Sequence, residues 1–330
     1  MPKQPNPKLR FYSSRFRICS LVLAVGFLAA CASVAGFLGA WSWFLDLFAH
    51  FRVQYFLTLA IVALISLLER RKRDAAIFGA LALLNLAVLV PLYFGRPAAP
   101  VTTGKPLRMV LANVNSDSGN PARVMAFLRQ AQPDLVVLEE INNRWVAELR
   151  PFLSDYPYQR LDSREDNFGI LLCSRHPFVQ ARIVYPSAAF VPTVVAEVNT
   201  PQGTLTVVAT HPLPPIGAQY AALRDGQLAA LPAVVHKATS PVVLLGDLNT
   251  TPWGAHFQPL VRASGLRDSA QGRGVQTTWT WGLFDPFFRL PIDHCLLSPS
   301  IGLVDRQVGP DIGSDHRPLI IDLVLPPPSK

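Results

Sequence analysis

Hydrophobic positions along the chain fall into two regimes. Up to Phe94 they form long runs with charges confined to the gaps; from Leu107 onward they form short runs that end in polar clusters. The long runs are Ile18 to Leu45, Val53 to Leu68 and Ala75 to Phe94. A bilayer crossing takes roughly 20 apolar residues, so the pattern predicts three transmembrane helices at about 18–45, 53–68 and 75–94, the second recruiting Phe51 and its neighbours. Residues 1–94 are then a membrane anchor, and 95–106, rich in Pro, Ala, Thr and Gly, a linker. From Leu107 the β-branched runs predict strands at Leu107–Val114, Asp134–Glu139, Phe168–Ser174, Thr193–Asn199, Thr204–Thr210, Val242–Leu248, Thr277–Trp281, Ile292–Ser298 and Leu319–Val324. Helices are expected at Pro121–Ala131, Asn143–Leu149, Tyr220–His236 and Trp253–Ser264. Strands mixed with helices, and a hairpin turn at Thr200-Pro201-Gln202-Gly203, make 107–330 a mixed-sheet α/β domain with no visible internal repeat.

Charge sharpens this division. Of 30 Lys+Arg and 22 Asp+Glu, residues 1–105 hold 12 and 3, which leaves 18 and 19 for the rest. The net charge of +8 therefore belongs to the anchor, and 106–330 lacks the basic footprint of a nucleic-acid binder. Lys3, Lys8, Arg10, Arg15 and Arg17 precede the first run, and Arg70, Arg71, Lys72 and Arg73 separate the second from the third; Asp46, His50 and Arg52 lie between the first two. The positive-inside rule puts the leader and the 69–74 loop in the cytoplasm and everything after Phe94 on the periplasmic or extracellular side of an inner (plasma) membrane. The first run is too long for the core of a cleavable signal peptide. Leu28-Ala29-Ala30-Cys31 resembles a lipoprotein cleavage box, but the apolar run continues past Cys31. Cys173 and Cys295 fall in strand-like runs and read as buried thiols, a Cys173–Cys295 disulfide being the alternative with no spacing pattern behind it. No Cys/His grouping suggests zinc.

The polar clusters that close the short runs have a common chemistry. Gly246-Asp247-Leu248-Asn249 ends the apolar run Pro241 to Leu245, and Asp and Asn two apart on a strand share a side. Ser314-Asp315-His316-Arg317-Pro318 is a second such cluster. Other run ends supply Asn113 and Asn115, Glu139 and Glu140, Thr210-His211-Pro212, and Ile292-Asp293-His294. Singly, each has an ordinary reading: a turn for Asp247 and Asn249, a helix cap for Asp315, a surface position for Glu140. Together, oxygen donors and imidazoles at one sheet edge suit a hard divalent cation, an attacking water and a phosphate, hence a metal-dependent phosphoesterase. His176, His236, His256 and His294 read as surface or strand residues, and Trp279 and Trp281 as core. Phe284, Phe287 and Phe288 are either core or an exposed loop that touches lipid or a base. Arg224 and Gln227, on one helical face, are expected to pack and hydrogen-bond rather than to bind substrate.

This ordered set resembles the endonuclease/exonuclease/phosphatase superfamily, with a deoxyribonuclease I-like fold, over about Leu107 to Leu325. The resemblance implies a four-layer α/β sandwich of two packed mixed β-sheets flanked by helices, here preceded by three transmembrane helices. It implies Glu140 as main ligand of Mg2+ or Mn2+, with Asn113 at the same metal and Asp315 in the metal and water network. Asp247 would orient or deprotonate the attacking water, and Asn249 would hold a phosphoryl oxygen. His316 would contact the phosphate with its ring fixed by Asp293; His211 would contact phosphate or assist the leaving group, with Asn167 beside it. Two departures stand out: Glu139 replaces a Gln common among relatives, and His211-Pro212-Leu213-Pro214-Pro215 stands where abasic-site enzymes carry a Tyr motif. The expected activity is hydrolysis of a phosphodiester, in nucleic acid or a phospholipid head group. A monoesterase acting on a small metabolite and a catalytically silent membrane-tethered binding protein are the alternatives. The expected partners are the lipid bilayer and the phosphate-ester substrate, and nothing in the chain points to a protein partner.

Overall fold

The computed structural model describes residues 7–95, 105–280, 282, 285 and 287–326. Most of the expected linker, together with Trp281 and Phe284, lies outside the described residues. The chain forms two compact units, Met1–Val90 and Pro91–Lys330.

The first unit is helical: α1 (Pro7–Phe37), α2 (Trp43–Ala49), α3 (Arg52–Leu68) and α4 (Lys72–Leu89). Ile18–Phe37 and Lys72–Leu92 are each long and apolar enough to cross a membrane, and α2 with α3, bent by 62°, makes a third span if counted together. The first helix stops at Phe37, short of the expected Leu45. A Cβ on Gly36 would lie 2.7 Å from the Phe48 backbone and one on Gly39 2.9 Å from the Asp46 Cα, so these glycines let residues 38–49 turn back against the end of α1. An uncharged run does not register such a fold-back. Burial in this unit is inverted relative to a water-soluble bundle. Leu21, Leu28, Ile61, Leu67, Leu68 and Leu83 are exposed, whereas Ser33, Asp46, Arg52 and Asn85 are buried. Arg52 Nη1 donates to the Ser33 carbonyl at 2.9 Å and Asn85 Nδ2 to Ser33 Oγ at 2.7 Å, tying three helices together.

The second unit begins with β1 (Leu107–Asn113), α5 (Pro121–Ala131), β2 (Leu135–Glu139), α6 (Asn143–Leu153), β3 (Tyr158–Asp162) and β4 (Ile170–Ser174). It continues with β5 (Phe178–Val184), β6 (Thr193–Thr200), β7 (Gly203–Thr210), α7 (Ala218–Val235), β8 (Val242–Asp247) and α8 (Phe257–Ser264). The last elements are β9 (Arg267–Asp268), β10 (Trp279–Thr280), β11 (Arg289–Leu290), β12 (Asp293–Leu297), β13 (Gly302–Val308) and β14 (Leu319–Val324). One six-stranded sheet runs β13-β14-β1-β2-β4-β3 and the other β5-β6-β7-β8-β12-β9. Each has one parallel pair, β1 with β2 through α5 and β7 with β8 through α7, among antiparallel neighbours. Side chains alternate across the pleat. Leu107, Met109 and Leu111 face the inter-sheet core with Val207, Val243 and Leu245. Val110, Ala112 and Leu138 instead meet Leu128 of α5 and Trp145 of α6, and Val208 and Leu244 meet Leu228 of α7 and Phe257 of α8. The result is four layers, helix, sheet, sheet, helix. Truncating an inter-sheet leucine such as Leu111 to alanine removes about 2–5 kcal/mol.

Candidate active site

The carboxyl ends of β1, β2, β7 and β8 and the amino ends of β12 and β14 meet at one edge of the sandwich. In open α/β sheets this edge is where ligands bind. Asp293 is the cross-strand partner of Asp247, and Asn113 that of Glu139. Asp247 Oδ2 lies 3.5 Å from Nε2 of His211 and 3.5 Å from Nε2 of His316. Asp293 Oδ2 holds His316 Nδ1 at 2.9 Å. The Phe168 ring packs against His211 with centroids 5.6 Å apart and planes tilted by 50°. All four titratable groups are buried, Asp247 at 2% and His316 at 4% exposure.

Burial opposes a charge on His316, but Asp293 and Asp247 outweigh it and lift the imidazole to about 10. Burial likewise opposes His211, which its hydrogen bond to Asp247 and the charge of Glu139 raise to about 9. For Asp247, burial favours the neutral acid, yet the two imidazoles hold the carboxyl below its ordinary value. At neutral pH the trio is an aspartate between two imidazoliums. Burial pushes Glu139 up to about 8, against the pull of the nearby His211 charge.

A second cluster is joined to the first through the β1 loop. Glu140, with left-handed backbone (φ 63°), accepts from Asn113 Nδ2 at 2.9 Å and from the Ser116 amide at 3.0 Å. Asn115 (φ 56°) donates through Nδ2 to Asp315 Oδ1 at 2.8 Å, and its own amide donates to Asn113 Oδ1 at 3.1 Å. Trp279 Nε1 donates to Asp315 Oδ2 at 3.0 Å. Non-glycine residues at positive φ are uncommon, and here Asn115, Glu140, Asn167 and Asn249 gather at one edge. Glu140 and Asp315 form no ion pair with any Lys, Arg or His among the described residues. The donor set is all oxygen, which fits Mg2+ or Mn2+ rather than zinc. No group of three or more His, Cys, Asp or Glu side chains that could hold a metal occurs among the described residues; magnesium sites commonly use one or two carboxylates and keep several waters.

Several sequence expectations change. Asn249 does not lie on the strand with Asp247. The strand ends at Asp247, and Asn249, at φ 51°, turns back so that its amide donates to Asp247 Oδ1 at 2.9 Å and its side chain to the Pro212 carbonyl at 2.9 Å. Asn167 meets Ser116 Oγ at 2.5 Å on the Glu140 side, and its neighbour Phe168 is the residue packed against His211. Trp279 is not core but half-buried, bridging to His316 and holding Asp315. His294 is buried, its Nε2 2.7 Å from the Thr250 carbonyl and its ring 4.4 Å from Phe257. Ser116 and Trp279 carried no motif that would single them out. Glu139, which stands where a Gln is common among relatives, accepts from the Asp247 amide at 3.0 Å, linking the two sheets.

Gly246 explains why that motif opens with glycine. A Cβ there would lie 1.8 Å from the Thr210 carbonyl oxygen and 2.8 Å from Glu139 Oε1. Gly246→Ala is therefore expected to destabilise the protein by about 3 kcal/mol, at the upper end of overpacking costs. A denaturant midpoint within error of wild type would refute this close approach.

The Endonuclease/Exonuclease/phosphatase family model matches residues 110–316. A solved endonuclease/exonuclease/phosphatase from Beutenbergia cavernae is 23% identical, covering 68% of this chain and 72% of its own, with TM-score 0.54. D. rerio TDP2 complexed with a single-strand DNA product is 19% identical over 67% of this chain and 99% of its own, TM-score 0.56. The Neisseria 3' phosphatase NExo, bound to a product DNA hairpin, is 19% identical over 65% and 98%, TM-score 0.55. These likenesses concern the fold. Among curated proteins none matches. Members of the superfamily are phosphoesterase hydrolases that generally use divalent metals. By its matching residues, over more than half its length, the chain belongs to the endonuclease/exonuclease/phosphatase family.

Proposed function

We propose that this protein is a membrane-anchored phosphodiesterase, dependent on Mg2+ or Mn2+, with its catalytic unit on the outer side of the membrane. The observation that carries the chemistry is Asp247 Oδ2 between the two imidazole Nε2 atoms, 3.5 Å from each. A carboxylate held below its ordinary pKa is a weak base, so Asp247 orients the attacking water more than it deprotonates it. The His211 and His316 imidazoliums stabilise charge on the phosphoryl oxygens, and His211 is placed to protonate the departing oxygen. Asn249 adds its remaining amide hydrogen to the phosphate. Asp293 keeps His316 charged and oriented. Glu140 and Asp315 would hold the metal, with Asn113 aiming Glu140; the bound ion supplies Lewis-acid stabilisation of the developing negative charge. Incubating the full-length protein with Mg2+ or Mn2+ and a panel of diester, monoester, phospholipid and DNA substrates tests this reading. Release of phosphate from monoesters alone would replace diester by monoester hydrolysis, and no turnover of any would favour a binding role.

The inverted burial of the helical unit supports the anchor, since leucines face outward and Arg52, Asn85 and Ser33 are enclosed. The basic leader and the 69–74 loop support an outward catalytic unit. A reporter fused after Lys330 should be active only outside the cytoplasm, and one inserted at Lys72 only inside; cytoplasmic activity of the Lys330 fusion would overturn the orientation.

A further inference from the structure

Two polar side chains on one face of α7, each 0% exposed, reach the loops that bear the site without entering it: Arg224 and Gln227. Arg224 Nη1 donates to the backbone carbonyl of Asn249 at 3.0 Å. Its Nε and Nη2 sit 2.8 Å from Asp225 Oδ1, and Asp225 Oδ2 lies 3.2 Å from His256 Nε2. Gln227 Nε2 donates to Thr210 Oγ1 at 3.0 Å, and that hydroxyl lies 2.8 Å from Thr193 Oγ1. The bond from Asn249 Nδ2 to the Pro212 carbonyl closes a circuit. It runs from α7 through Arg224 to Asn249 and Pro212, back along the chain past His211 to Thr210, and through Gln227 to α7.

A guanidinium enclosed this completely is a costly way to gain stability, since a well-packed apolar side chain of similar volume often serves as well or better. What an apolar residue cannot do is grip a carbonyl. Asn249 holds φ 51°, a conformation a non-glycine residue keeps only when its surroundings enforce it. We infer that Arg224 and Gln227 are positioning residues that set the spacing between Asn249 and His211, the two groups flanking the phosphate. The inference rests on the function proposed above and adds that α7 holds the geometry from outside the site.

The test is a double-mutant cycle on the full-length protein in detergent, with bis(p-nitrophenyl) phosphate and Mg2+. Arg224→Met should lower kcat by about 10- to 100-fold in the wild-type background but by less than about threefold in Asn249→Ala, because the group it positions is already gone. Arg224→Lys, which keeps a donor but loses the fork, should fall between. Equal losses in both backgrounds would mean general damage and overturn the inference. If wild type hydrolyses no phosphate ester, the proposed function fails by itself, and amide hydrogen exchange decides the clamp. Arg224→Met should then speed exchange within residues 211–217 and 248–252 alone. Unchanged exchange there, or acceleration throughout the second unit, would overturn it.

Discussion

Asp247→Ala is expected to lower the rate of phosphate-ester hydrolysis by about 10²- to 10³-fold, and His316→Ala by a similar factor. The two groups touch at 3.5 Å and act on one transition state, so the double variant should be only slightly worse than the poorer single one. Both side chains are buried, and removing Asp247 strands two imidazoliums without their shared anion. Asp247→Asn, nearly isosteric, therefore belongs in the series, with unfolding midpoints measured alongside rates. His294 is no neutral control, because its ring is part of the core; exposed His236 is. Near-normal turnover by folded Asp247→Asn and Asp247→Ala would mean that the site lies elsewhere.

The same trio fixes a pH dependence. His316 and His211, ordinarily near 6.5, are raised to about 10 and about 9. A raised imidazole contributes stability that is fully present below its unfolded value and is lost as pH rises through its folded one. Charge stabilisation at the phosphate should fail in the same upper window. The rate should hold through neutral pH and fall on the alkaline side near 9. Asp293→Asn removes an anion facing His316 and should lower the pH at which that imidazolium is lost, read by NMR titration of its ring. A His316 titration unmoved by the substitution would detach Asp293 from it.

The centre of this fold was legible in the sequence because its central strands are buried on both faces. Leu135–Glu139 and Val242–Asp247 read as continuous apolar runs, and a polar cluster at the end of such a run has few purely structural explanations. The periphery was not. β3 and β5 are edge strands: β3 carries neither alternation nor an apolar run, and β5 alternates only over residues 180–183, with Ala181 and Ile183 partly buried against the core. The helix expected to end at Leu149 runs on to Leu153 despite Pro151, which forgoes one helical hydrogen bond, because Phe152 and Leu153 beyond it are buried. Within the site, sequence spacing set the order of residues around the edge but not their hydrogen bonds. That Asn249 leaves the strand, that Trp279 holds Asp315, and that Arg224 reaches Asn249 are tertiary facts with no local signature.

Glu140→Gln should separate metal binding from folding. The amide keeps the size of the side chain and an acceptor for Asn113 Nδ2, but it removes the negative charge that the oxygen-donor cluster offers a cation. Exhaustive chelation should abolish hydrolysis by wild type, and Mg2+ or Mn2+ should restore it. In Glu140→Gln the metal concentration for half-maximal rate should rise by roughly 10-fold or more, by analogy with losses in ligand-shell variants. A readout independent of turnover follows from mass action. An ion that binds only the folded state at about 100 times its Kd stabilises by about 2.7 kcal/mol. Wild type should therefore melt higher with metal than after chelation, and Glu140→Gln should lose most of that difference. Asn113→Leu, which removes the amide that aims Glu140 while leaving both carboxylates, should lie between them. Full activity after chelation would remove the metal from the mechanism. Equal metal stabilisation of wild type and Glu140→Gln would leave a metal enzyme whose ion is held somewhere other than at Glu140.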